Sequence, residues 1–488
     1  MKEIGTVCCF PSPPSHVDFC FQLNDEAEIK VGSYIEIPSG KYVIVARVKE
    51  LNVFSELFKN PQFLQGRSLY STDAITLLPK SIGMLRIARA IIVGVIDGND
   101  VLPPCISPEP GDLVYPVNKG TLVKVLGLKN NGVFIGTLAD RDDIPVYLNP
   151  EILIRLHSLI IGTIGTGKSY TAGVIIEDML KFNYPVIVID PHGEYEIMSK
   201  PNTSKFEILE LRKLGMSPEG VDVKVFKPKI HGAGDLSLNF DSLDVDSIAE
   251  LIRATDTMKD LLFLAINHAR KNKIKLSPQT LSSVISQIAY EWKFAKRTMI
   301  ALRRNIEILS ELGIFGAGFN PRILVQPGQL TVIDLSEDMP EHVRRAFIAV
   351  LLRELFLARK RKEIPKVLVV IDECHRFISP DEVGADSACL NSIKRIAREG
   401  RKFGIGLCLI SQRIVGLDKT IVGQCRTKII LRLDMYTDID QVAPYFADEI
   451  IKHKLANLPD GYAYIVGAAV RAPILVKIRP KRSDHIRE

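Results

Sequence analysis

The stretch Gly162-Thr163-Ile164-Gly165-Thr166-Gly167-Lys168-Ser169 carries every fixed position of the pattern G-x-x-x-x-G-K-[ST], and it limits what the chain can fold into more than any other segment. Such a loop works only between a buried strand and the N-terminus of a helix. There, glycines let backbone N–H groups turn inward and the helix dipole favours an anion. The surroundings meet that demand. Leu159-Ile160-Ile161 reads as a buried strand, and residues 171–180 are good helix formers. In this setting Lys168 reaches the β- and γ-phosphates and Ser169 holds Mg²⁺. The loop therefore predicts binding of a nucleoside triphosphate.

The texture after about residue 150 agrees with that placement. Apolar runs at 159–161, 186–190, 331–335, 367–372, 406–411 and 428–433 alternate with helical stretches. Nearly continuous apolar runs separated by helices predict a parallel sheet covered on both faces. One such helix spans residues 341–360, with Val343, Phe347, Val350 and Leu351 on one stripe and Arg344, Arg345 and Arg353 largely off it. The interval from Asp190 to Thr331 is too long for one crossover, and residues 244–316 within it read as an inserted helical subdomain. Residues 463–467 and 473–478 add two strands.

Residues 1 to about 140 read differently. Short β-rich runs at 34–37, 42–45, 91–96 and 122–125 are separated by turns such as Pro38-Ser39-Gly40 and Pro110-Gly111-Asp112. This predicts a small barrel or sandwich. The expected organisation is an N-terminal β-barrel over 1–145, an α/β core over 146–243 and 317–470, the helical insertion over 244–316, and a C-terminal strand and tail over 471–488. Residues 479–488 are charged and read as a mobile tail or as an arm onto a neighbour.

Length and composition set bounds on function. A chain of 488 residues with 46% apolar and 25% charged residues has material for two or three globular domains. Net charge of +6 permits a nucleic-acid partner without demanding one. No apolar run spans a membrane and no leader-like apolar stretch opens the chain, so the expected compartment is the cytoplasm. None of the eight cysteines forms a C-x-x-C pair, which favours reduced thiols over a zinc site.

The second half of a catalytic site follows the strand at 367–371. Asp372 at its end is placed to hold Mg²⁺, and Glu373 to polarise an attacking water. Paired acids here indicate hydrolysis, because a nucleotide-binding switch does not need the second one. Downstream, Gln412 ends another apolar strand, where it would sense the γ-phosphate, orient water or simply satisfy loop backbone. Between those strands lies a basic helix containing Lys394, Arg395, Arg398, Arg401 and Lys402. It reads as a source of an arginine for a neighbouring subunit, as a nucleic-acid contact, or as a solvated face. Asp190, His192 and Glu194 crowd a turn after the second strand, at the expected active-site edge.

Taken in order, these segments resemble the HerA family, archaeal members of the HerA/FtsK group of DNA-pumping ATPases. The carriers are the phosphate loop, Asp-Pro-His-Gly-Glu-Tyr, Ile-Asp-Glu-Cys-His-Arg-Phe, Gly-Arg-Lys-Phe-Gly and Ser-Gln-Arg, with 136–146 resembling the junction of barrel and motor core. The resemblance implies a RecA-like core, a homohexameric ring, double-stranded DNA in its channel, and ATP with Mg²⁺ as cofactors. It further implies partnership with the NurA nuclease in DNA end resection for double-strand break repair, beside Mre11–Rad50, with the barrel as docking element. Carried over by position, Lys168 and Ser169 take the phosphate and Mg²⁺ roles, Asp372 the second Mg²⁺ anchor, Glu373 the catalytic base and Gln412 the sensor. Arg401 becomes the first candidate for an arginine acting in trans and Arg398 the second. Arg155 and Tyr170 are expected beside the nucleotide. The family's loops usually read Thr-Gly-Ser-Gly where this chain has Ile164-Gly165-Thr166-Gly167, a change that leaves the backbone cradle intact and predicts altered nucleotide release. Two alternatives stand beside this reading: a nucleotide-dependent scaffold that recruits a nuclease, and a related ATPase that transports protein or conjugative DNA.

Overall fold

The computed structural model describes residues 2–55, 84–384, 387–446 and 451–486. The chain divides into two compact units, one made of residues 1–129, 138–144 and 470–472, the other of the rest.

In the first unit, strands β1 (Gly5–Cys8), β2 (Asp18–Leu23), β3 (Tyr34–Ser39), β4 (Tyr42–Ser55), β5 (Met84–Asp97), β6 (Asp100–Leu102) and β7 (Leu113–Pro116) run in the order β2-β1-β7-β3-β4-β5-β6. A further pairing of β2 with β5 closes six of them into a barrel. Closure leaves no open edge among those six. Alternate side chains such as Ile35, Ile37, Ile44 and Ala46 fill the interior. One expected strand is a helix: residues 122–125 lie within the helix Lys119–Leu126. Asn118 caps its N-terminus through Gly120 N–H, Gly127 ends it in a left-handed conformation, and Leu122, Val125 and Leu126 form its buried stripe. The i, i+3, i+4 spacing and the two caps override the β preference of Val123 and Val125.

The second unit is built on one large sheet. The sheet contains β8 (Val133–Leu138), β9 (Arg141–Leu148, of which residues 141–144 are counted with the first unit), β10 (Ser158–Ile161), β11 (Val186–Asp190), β12 (Val223–Phe226), β13 (Leu330–Asp334), β14 (Val367–Ile371), β15 (Ile405–Ser411), β16 (Thr427–Ile430), β17 (Tyr462–Gly467) and β18 (Ile474–Ile478). Their order is β12-β13-β11-β14-β15-β10-β16-β17-β18-β8-β9. From β12 to β16 every neighbouring pair is parallel, and β17 and β18 follow antiparallel. All six expected core strands are present, five of them within one residue of their expected bounds, while the sixth ends at Ile430, three residues before the expected end at Leu433. β12 and β8 were not anticipated here, and β8 joins this sheet rather than the barrel. Between β12 and β13 stand the helices Val245–Leu251, Asp256–Lys271, Pro278–Glu291 and Lys296–Glu311. In the helix Glu341–Lys360, Arg344 is buried and bonds Glu341 one turn earlier, so it does not lie off the apolar stripe as expected.

Instead of projecting, the expected tail packs down as far as Asp484, and Arg487 and Glu488 lie outside the described residues. Arg479, Lys481, Arg482, Ser483 and Asp484 are buried against the helix Lys168–Lys181. Arg479 Nη1 donates to Glu177 Oε2 at 2.9 Å and its Nε to the Phe134 carbonyl at 2.7 Å. Ser483 donates from both N–H and Oγ to Glu177 Oε1, at 2.8 and 2.7 Å. Burial raises the Glu177 carboxyl, but Arg479, Ser483 and Arg482 outweigh it and hold the group below its ordinary range. At Gly173 the tail comes so close that an added Cβ would sit 2.7 Å from Lys481 Cε. Charges in this tail are spent on a buried partner, which composition alone does not reveal.

Removing one arm of such a pair strands the other charge. Arg479→Ala is expected to cost about 3–5 kcal/mol, measured as loss of unfolding free energy in urea. A loss under about 1 kcal/mol would show that the network contributes little.

Candidate nucleotide site

The phosphate loop leaves β10 at the sheet's carboxyl edge and enters the helix Lys168–Lys181, whose N-cap is Gly167 at φ 90°. That φ is open to glycine at little cost. Lys168 folds back to donate to the Thr163 carbonyl at 3.0 Å. Burial pulls its ammonium down, while Glu373, Asp372 and Glu194 pull it up. Thr166 Oγ1 donates to the Thr163 carbonyl at 2.8 Å, so both side chains tighten one turn. Ile164 is 71% exposed, which fits a position that contributes backbone only.

Ser169, the first loop hydroxyl on the helix, donates to Asp372 Oδ2 at 3.0 Å. Two hard oxygen donors at that separation match the edge of an Mg²⁺ octahedron with bonds of about 2.1 Å. Ser169 and Asp372 thus fit the ion, with nucleotide phosphates and water to supply the remaining ligands. Tyr195 Oη also donates to Asp372 Oδ2, at 2.8 Å, and Glu373 N–H to Oδ1 at 2.8 Å. Burial pushes the Asp372 carboxyl up, and these donors oppose it.

Glu373 sits at φ 45°, a left-handed conformation unusual for glutamate. Its Oε1 accepts from Gln412 Nε2 at 2.9 Å. His375 Nδ1 lies 3.1 Å from Oε2 but outside hydrogen-bonding geometry, so Oε2 is a buried acceptor with a free lone pair. A general base needs such an atom. Sheet order explains the assembly: β15 lies between β14 and β10, so Gln412 at its end stands between the acids and the loop.

The turn after β11 is supportive. Asp190 accepts from the backbone N–H groups of His192 at 3.1 Å, Gly193 at 2.9 Å and Tyr195 at 3.0 Å. Burial raises its carboxyl to about 6 against those donors. The turn aims Tyr195 at Asp372. Tyr195 was not singled out from sequence, although it closes the hexapeptide; an Asp-containing turn beside a second acid is the signal that would have found it. His192 is exposed, and Glu194 acts on Lys168 through its charge.

Two expected nucleotide contacts are placed elsewhere. Tyr170 donates to Glu207 Oε1 at 3.2 Å, accepts from Lys481 N–H at 2.7 Å and meets the His485 ring at 4.8 Å. Its ring serves the tail. Arg155 is exposed on the helix Pro150–Leu156, just before β10, and thus at the sheet's amino edge. Arg398 and Arg401 lie exposed near the end of the helix Ala388–Phe403, just before β15, at the same edge. β15 alone spans roughly 20 Å. None of the three arginines lies beside the phosphate loop of its own chain.

One histidine ties that edge together. His157, at φ 49° and ψ 157°, accepts from Leu407 N–H at Nδ1, 3.0 Å away, which leaves Nε2 to donate to the Ala397 carbonyl at 3.1 Å. The ring joins the segment after Arg155 to the residue before Arg398. Burial pushes His157 down to about 4.

Two outcomes follow from this geometry. Tyr195→Phe removes one donor to Asp372, and the Mg²⁺ concentration for half-maximal hydrolysis is expected to rise about tenfold. An unchanged requirement would assign the hydroxyl a packing role. For His157, the folded pKa is depressed, so stability is complete above the ordinary value of 6.5 and is lost as pH falls towards 4. The difference amounts to roughly 3 kcal/mol. Urea titrations at pH 7 and pH 4 should show His157→Asn losing that much less than the parent.

Comparison with known proteins agrees with this architecture. A family model described as "Helicase HerA, central domain" matches residues 133–355. The DNA double-strand break repair helicase HerA of Pyrococcus furiosus is 27% identical over 95% of this chain and 90% of its own. Among solved structures, VirB4 of Thermoanaerobacter pseudethanolicus superposes with a TM-score of 0.54 at 17% identity, over 72% of this chain and 97% of that one. Plasmid coupling protein TrwB in complex with ADP and Mg²⁺ gives 0.52 at 18% identity, over 75% and 93%. The chain is a HerA-like protein with the fold of a P-loop ATPase.

Proposed function

We propose that the protein is an ATP-driven motor that moves along double-stranded DNA as a homohexameric ring, in the cytoplasm. ATP with Mg²⁺ is bound by Gly162 to Ser169 and Asp372. Lys168 neutralises the phosphates, and Gln412 holds Glu373 while its free oxygen takes a proton from the attacking water. The observation that carries hydrolysis is that free, buried Glu373 Oε2 beside the Ser169–Asp372 pair.

The ring rests on a different observation. With Arg155, Arg398 and Arg401 at the amino edge of the sheet, each of these three would reach a transferred phosphate only in the site of a neighbouring copy. A site shared between copies makes hydrolysis sensitive to what the ring encloses. The DNA substrate rests on the printed function of the relatives, DNA double-strand break repair helicases. Partnership with the NurA nuclease in end resection, beside Mre11–Rad50 and with the barrel as docking element, extends the same reading. Among the described residues no helix is long and apolar enough to cross a membrane.

Steady-state ATP hydrolysis with and without linear duplex DNA, at two salt concentrations, tests the proposal. DNA is expected to stimulate the rate severalfold, with the gain fading at higher salt as phosphate contacts weaken. Glu373→Gln is expected to lower the rate about 10²–10⁴-fold with nucleotide binding retained. A rate indifferent to DNA would overturn the motor reading.

A further inference from the structure

One long segment of this chain carries a marked excess of positive charge. Residues 256–311 hold ten lysines and arginines against five acids, a net +5 where the whole chain carries +6. Within them, residues 290–304 hold five cations and one carboxylate, Glu291, which accepts from Gln287 at 2.9 Å rather than pairing with a cation. Among the described residues none of Lys293, Lys296, Arg297 and Arg304 makes an ion pair. The two largest apolar exposures at this tip are Tyr290 at 88% and Trp292 at 63%.

Local structure makes these choices unfavourable for folding alone. The helix Lys296–Glu311 starts at Ala295 without a side-chain cap and with no acid in its first turn. Lys296 and Arg297 stand there instead, against the helix dipole. Lys293 is held at φ 55°. Exposed aromatic rings beside unpaired cations, at a helix start that favours anions, are complementary to a ligand with both phosphates and open aromatic faces.

We propose that the tip joining the helices Pro278–Glu291 and Lys296–Glu311 binds an unpaired nucleic-acid strand. Tyr290 and Trp292 stack on bases, and Lys293, Lys296, Arg297 and Arg304 take the phosphates. A closed duplex presents phosphates but hides its base faces, so the aromatic pair selects the unpaired strand. The proposal rests on the reading that the protein works on DNA, and it adds the place where an opened end is held.

Trp292 is the chain's one tryptophan, so its fluorescence reports on this surface alone. The full-length protein is titrated without nucleotide against a twenty-residue oligothymidylate and, separately, a blunt duplex. The oligothymidylate is expected to quench Trp292, with affinity falling roughly 50-fold between 50 and 200 mM salt for four phosphate contacts. The double variant Lys296→Ala/Arg297→Ala should bind more weakly with a shallower salt dependence. Tyr290→Ala should weaken binding while leaving that dependence unchanged. All three side chains are exposed, and an unaltered melting temperature confirms that the variants fold. No quenching by oligothymidylate, equal quenching by the duplex, or a response only to an acidic polypeptide such as polyglutamate would overturn the assignment. Duplex-stimulated hydrolysis is measured separately, so its absence alongside oligothymidylate quenching would sink the motor reading and leave this surface standing.

Discussion

The helix Lys168–Lys181 is anchored at both ends by charge, and the rest of the nucleotide site depends on it. Its N-terminus offers backbone donors and Lys168 to phosphates. Its last turns carry Glu177 and Asp178, met by Arg479 and Arg482 from the end of the chain. Leaving Glu177 inside a protein without a partner would cost several kcal/mol, so the arginines fix both the tail and the helix. A helix held that firmly keeps Ser169 within 3.0 Å of Asp372, which belongs to a strand two places away. The hydroxyl and the carboxylate meet because the sheet and the buried ion pairs leave the helix one position.

Across the carboxyl edge the site is graded in rigidity. Asp190 is locked by three backbone donors and locks Tyr195, which in turn holds one oxygen of Asp372. Glu373 is held by one amide from Gln412 and kept in a left-handed backbone conformation. Asp372, the proposed metal anchor, has several hydrogen-bond partners, and Glu373, the proposed base, keeps one oxygen without a hydrogen bond. In the proposed motor, Gln412, placed just after the strand between the loop and the acids, would link the γ-phosphate to the base through its hydrogen bond to Glu373.

Sequence reading recovers the parallel core because period and loop chemistry agree there: buried strands read as apolar runs, and the phosphate loop fixes where one of them ends. Ser169, Asp372 and Glu373 were legible for the same reason. Residues 122–125 were misread because four residues rich in valine carry a β preference, while the deciding information lay in Asn118 and Gly127 outside them. The tail was misread because exposed and buried charges look alike in sequence; only folding shows that Glu177 waits for Arg479. Tyr170 and Arg155 stand apart from their own chain's loop for another reason. Adjacency along the chain does not make a side chain adjacent to the loop: Tyr170 turns to the tail and Arg155 stands at the opposite edge of the sheet.

That opposite edge gives the architecture its direction. His157 clips the end of the Arg155 helix to the residue before Arg398, in a backbone conformation that costs energy to hold. Strain of this kind persists where the surroundings over-determine it, and here two hydrogen bonds and burial do so. The arginines are therefore carried as one body with β10 and β15, the same strands whose far ends bear the phosphate loop and Gln412. In the proposed ring, a displacement of that loop by nucleotide would be felt at both edges. If copies of the chain stack edge to edge, the phosphate state of one site is transmitted through a few rigid strands to the arginines that face the next.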